Sequence, residues 1–109
     1  MDKIERDNLI VKMAALGVKP KAIADEIGIP LSRVKSALSS HQFCITPFDP
    51  PQGMSVKTAW RIYVTLGDWP SDETMEKLAG RMEQFMRAPG TRLKDWEEYR
   101  MWLAGSGYL

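Results

Sequence analysis

One cysteine and one histidine among 109 residues leave little room for several kinds of chemistry. Cys44 stands alone, which excludes an internal disulfide and fits a cytoplasmic setting. His41 and Cys44 form H-x-x-C, but a structural zinc site wants about four ligands, mostly Cys or His. The same shortage removes a Cys–His catalytic pair. The chain has no phosphate-cradling G-x-x-x-x-G-K loop and no G-x-S-x-G elbow. Acidic pairs such as Glu97–Glu98 read as solvated helix surface. The expectation is a protein that is not an enzyme and takes no cofactor or metal. No apolar run approaches the roughly 20 residues of a membrane span. The first residues, MDKIERDN, are charged rather than signal-like, so no membrane association is expected. Excess charge of one sign is also missing, because the net charge is only +1. Residues 1–46 carry +2 and the remainder −1. Any attraction to phosphate must then come from local placement of charge.

What is present is the composition of a folded domain, 44% hydrophobic and 27% charged. The most informative stretch is GVKPKAIADEIGIPLSRVKSALS, residues 17–39. Ile23 and Ile27 lie four apart with Ala24 between them. Gly28 interrupts the pattern, Ile29 and Pro30 follow, and a second helical pattern starts with Val34, Ala37 and Leu38. Two short helices joined by a tight glycine turn must cross steeply. Ala24 is small where they approach, and Gly28 can take the positive φ of the turn. Pro20 suits the first turn of its helix, and Pro30 opens the next in the same way. This stretch resembles the helix-turn-helix motif of DNA-binding regulators. Lys19 departs from it, standing where a Ser or Thr N-cap is common. The resemblance implies that the second helix of the pair enters the major groove of double-stranded DNA.

Ahead of the motif, a first helix is expected over about 3–16, with Leu9, Ile10, Met13 and Leu16 on one face. Behind it, Phe43 and Ile45 alternate with Cys44 and Thr46, and PFDPPQG reads as loop. In VKTAWRIYVTLG, Trp60, Ile62, Val64 and Leu66 alternate with Arg61, Tyr63 and Thr65. That period of two in a β-branched, aromatic run favours a strand. A hairpin over about 43–66 would then wing the motif. Read as a helix, Val56, Ala59, Trp60, Tyr63 and Leu66 share a face that Ser55 could cap, and the fold becomes an all-α bundle. Two C-terminal helices complete the expectation. Ser71 caps the first, which carries Met75, Leu78, Ala79, Met82, Phe85 and Met86. The second, over about 92–104, places Leu93, Trp96, Tyr99 and Leu103 together. The fold class is thus mainly α, with residues 1–66 as the DNA-binding part and 67–109 as a packing and dimerisation part of the same compact unit.

With Val34 set inward, the roughly 100° advance per residue turns Ser32, Ser36 and Ser39 outward, flanked by Arg33 and Lys35. These residues, with Leu31 at the helix start and Lys21 on the preceding helix, are the expected DNA contacts. Arg33 can bond a guanine edge or a phosphate, and the short serines let a helix seat deeply. Lys35 and Lys21 suit phosphates. His41 and Gln42 read as plain surface. Trp102 and Met101 fall away from Trp96 on the last helix and are expected to form a partner or dimer contact. The low charge also calls for a homodimer. The expected function is that of a small sequence-specific regulator of bacterial or phage type. A protein-interaction module and a DNA-processing accessory factor for excision, replication or packaging remain open, because fold does not fix function.

Overall fold

A computed structural model describes residues 1–108. These residues form seven helices and, among themselves, no strand: α1 Lys3–Ala15, α2 Pro20–Ile27, α3 Leu31–Ser40, α4 Val56–Leu66, α5 Met75–Ala79, α6 Met82–Arg87 and α7 Leu93–Gly105. The chain is all-α. It divides into two compact units, Met1–Asp49 and Pro50–Leu109. The division thus falls at 49/50 and not after Leu66, because residues 56–66 pack with the C-terminal helices. No helix among the described residues is long and apolar enough to cross a membrane.

In the first unit, Asp2 caps the start of α1, and its carboxylate accepts the Glu5 N–H at 2.8 Å. This satisfies one of the helix's orphan donors and places negative charge at its positive end. α2 starts at Pro20 behind Lys19, whose side chain makes no cap. It ends at Gly28, with φ 80° and ψ 36°, where the N–H groups of Gly28 and Ile29 both reach the Ala24 carbonyl, at 2.8 and 3.1 Å. That left-handed conformation is strained for any residue with a Cβ, so glycine sets the turn. Pro30 is the N-cap of α3, one residue ahead of its first helical position, and its carbonyl receives the N–H groups of Arg33 and Val34. α1 packs on both α2 and α3. Ile10, Ile23 and Val34 are fully buried with Ala24 and Ala37 beside them. Each large aliphatic side chain buried this way stabilises the unit by about 1.5–3 kcal/mol. Leu16, expected inside, is exposed, and Val11 is buried instead.

The second unit overturns the expected hairpin wing. Residues 56–66 form α4, which buries Val56, Thr58, Ala59, Ile62 and Leu66. Ser55 Oγ accepts the Thr58 N–H at 3.3 Å, and Gly67 ends the helix by donating to the Tyr63 carbonyl at 2.8 Å. The Glu98 carboxylate on α7 adds a tie. It accepts the Ser55 N–H at 3.0 Å, the Ser55 hydroxyl at 2.9 Å and the Thr58 hydroxyl. A negative group thus sits at the positive end of α4. Glu98→Ala leaves these donors without their acceptor, and we expect it to cost about 1–3 kcal/mol. Urea unfolding checks this, and a change below about 0.5 kcal/mol would mean that water replaces the carboxylate without loss.

The C-terminal helices number three, not two, because the expected helix from Ser71 is divided. Thr74 Oγ1 accepts the Ser71 N–H and donates to the Trp69 carbonyl, both at 3.0 Å, holding a turn before α5 begins at Met75. Gly80 then ends α5, and Arg81 turns its guanidinium back to the Leu66 carbonyl before α6 starts. The core gathers Met54, Ala59, Ile62, Leu66, Leu78, Phe85, Tyr99 and Leu103. The Phe85 and Tyr99 rings meet in a T-shaped pair with centroids 4.9 Å apart, and Trp102 stacks on Tyr99 at 6.3 Å. Tyr99 donates its hydroxyl to the Leu78 carbonyl. Burial pushes the phenol above its ordinary pKa, so it stays protonated as that donor requires. Trp102 is therefore a core residue rather than the expected surface contact, whereas its neighbour Met101 is exposed. Leu93, placed inward by the sequence pattern, is also exposed.

Candidate nucleic-acid interface

α3 presents two unlike faces. Val34 and Ala37 point into the first unit, while Ser32, Arg33, Lys35, Ser36 and Ser39 are exposed. The inward positions are three apart, and Ser32, Ser36 and Ser39 repeat at four and three, so the serines line the side opposite Val34. Arg33 and Lys35 stand on either side of that line. Leu31 sits nearer the inner edge, at 36% exposure. Lys21 is exposed in the first turn of α2. The structure thus brings Leu31, Ser32, Arg33, Lys35, Ser36 and Ser39 onto the accessible part of one helix, with Lys21 on the helix before it.

α3 carries no acidic residue. Among the described residues, Lys21, Arg33 and Lys35 form no ion pair, in contrast to Lys12, which pairs with Asp49 at 2.9 Å. Asp25 and Glu26 are exposed on α2 and reduce the positive potential there. A planar guanidinium can bond an acceptor pair in a fork, an ammonium meets phosphate as a point charge, and a hydroxyl can donate or accept. This surface can therefore contact a polyanion through its flanks and read acceptors and donors along its middle.

His41 departs from the sequence reading. It is buried at the end of α3, with Nδ1 2.7 Å from the Ala37 carbonyl and 2.9 Å from Ser40 Oγ. A carbonyl only accepts, so this nitrogen carries the hydrogen. Cys44 is also buried, and its N–H donates to the His41 carbonyl at 2.9 Å. The pair closes the last turn of α3 and the chain that follows, which fixes where the exposed face ends. A lone histidine after two serines gives no periodic signal that could have shown this.

Comparison with family models, with curated proteins and with solved structures finds no match to this chain.

Proposed function

We propose that the protein binds double-stranded DNA in a sequence-specific manner, with α3 in the major groove as the reading helix of a helix-turn-helix unit. One observation carries this reading. A helix of the first unit exposes Ser32, Arg33, Lys35, Ser36 and Ser39 without any acidic residue, directly after a glycine turn that joins it to α2. Arg33 bonds a base edge or phosphate, the three serines allow close approach, and Lys21 and Lys35 meet the backbone. A net charge of +1 gives one copy little non-specific attraction, so a homodimer on two half-sites is the form that binds. Transcriptional regulation is the role we assign to such binding.

Selection of bound sequences from a random duplex library tests the proposal. The expected product is a two-fold symmetric motif with half-sites about one helical turn apart. Arg33→Ala should weaken binding to it by about 1–3 kcal/mol and relax the preference at one position per half-site. No enrichment at low salt would overturn the reading and make the three-helix unit a scaffold for another contact.

A further inference from the structure

The second unit holds an open cleft of about 830 Å³ between α4 and α6. That volume lies in the range of small-molecule sites, about 300–1,000 Å³. Arg61 and Thr65 line it from α4, and Arg81, Gln84 and Arg87 from the opposite wall. Residues 50–109 contain five arginines and eight basic against eight acidic groups, so three arginines on one cleft are a local concentration in a neutral unit. Glu83 is the cleft's one carboxylate, and it pairs with Arg87. The other two guanidinium groups are held by neutral acceptors. Arg61 donates to the Pro89 carbonyl, and Arg81 to the Leu66 carbonyl and to Gln84 Oε1. These bonds fix position without cancelling charge, and three guanidinium groups against one carboxylate leave two positive charges.

Arg61 adds a second observation. Its Nε is buried and meets no acceptor among the described residues. A buried charged donor is costly to leave unmade, and negative charge brought to the guanidinium from the cleft offsets that cost. The turn beyond α6 is shaped around this group. Gly90 takes φ +79°, and a Cβ built there would lie 2.7 Å from Arg61 Nη2. Val64, Ala88 and Pro89 supply apolar wall beside the charges.

We propose that this cleft binds a small organic dianion, a phosphate monoester or a dicarboxylate, with its charged end on Arg61 and Arg81 and its apolar body against Val64, Ala88 and Pro89. The inference is independent of what the first unit binds. A backbone-amide NMR titration of the full chain tests it, with phenyl phosphate, succinate and inorganic phosphate as probes and potassium chloride at matched ionic strength as control. The expected result is saturable shifts at Thr65, Gly80 and Ala88, tighter for phenyl phosphate than for inorganic phosphate. Which of the two organic probes binds tighter tells phosphate from dicarboxylate. Arg61→Gln and Arg61→Lys should each weaken binding at least about tenfold, since lysine keeps the charge but loses the fork. Arg87→Gln, at an exposed position, should weaken it by a few fold and serves if the Arg61 variants fail to fold. Shifts that do not saturate, that match the chloride control or that persist unchanged in Arg61→Gln or Arg87→Gln would overturn the proposal. So would displacement of phenyl phosphate by duplex DNA, which would assign the arginines to the phosphate backbone.

Discussion

Phe85→Ala should destabilise the second unit by about 3–5 kcal/mol, the range for removing a large buried aromatic side chain. Phe85 is fully buried from a short helix, α6, and its ring makes a T-shaped contact with Tyr99. α6 has six residues, too few to be stable alone, so its fold depends on this side chain reaching the core. Tyr99 is in turn fixed by its hydroxyl on the Leu78 carbonyl and by the stacked ring of Trp102. Removing the phenyl ring therefore leaves a cavity whose walls are constrained, and little collapse can offset the loss. Small domains unfold at about 5–15 kcal/mol, so the variant should be largely unfolded or melt well over 10 °C lower. Met86→Ala, at the adjacent exposed position, should change stability by no more than about 0.5 kcal/mol. Urea unfolding followed by tryptophan fluorescence measures both. Equal losses in the two variants would mean that Phe85 does not hold the core.

The first unit was legible because its signals agree. Ile23, Ala24, Val34 and Ala37 follow the helical period, Gly28 marks the turn, and Pro20 marks a helix start. The buried set of the structure contains the same residues. Residues 56–66 gave two signals in conflict. Trp60, Ile62, Val64 and Leu66 alternate as in a strand, yet Ser55 and Gly67 bracket a helix. Strand propensity is weaker than burial, and the apolar side chains that α4 buries are Val56, Ala59, Ile62 and Leu66, spaced three, three and four apart. Val64, which strengthened the strand reading, is exposed, and so is Tyr63, which the helix reading had set on its inner face.

α7 shows a different limit. Its extent was legible, and so was the inward face of Tyr99 and Leu103, but Leu93 and Trp102 were set on the wrong sides, because Leu93, Trp96, Tyr99, Trp102 and Leu103 spread round much of the helix. Contacts from Phe85 and from the α4 start, through Glu98, turn Tyr99 and Trp102 inward and leave Leu93 and Met101 outside. The arginine cleft could not be read at all. Arg61 and Arg81 lie twenty residues apart with no shared period, and only the break at Gly80 directs Arg81 back toward α4.

One substitution chemistry at two positions of α3 separates scaffold from surface. Val34→Asp puts a carboxylate into a fully buried site in the cluster of Ile10, Ile23, Ala24 and Ala37. An unpaired buried charge costs several kcal/mol, or the group takes up a proton and still loses the packing of valine. We expect loss of about 3–5 kcal/mol and, with it, loss of the helical signal of the first unit. Ser36→Asp, two residues on, faces solvent and should alter stability by no more than about 0.5 kcal/mol. Its effect belongs to the proposed interface. A carboxylate in the line of Ser32, Ser36 and Ser39 would face the phosphates and base acceptors that Arg33 and Lys35 attract. Like charges brought together at an interface cost several kcal/mol, so affinity for the selected duplex should fall by more than about a hundredfold. Circular dichroism and fluorescence anisotropy on the same samples give the two readouts. A folded Ser36→Asp protein that binds the duplex as tightly as the wild type would remove α3 from the groove, since a duplex selected by the serine helix offers no donor arranged for a carboxylate there.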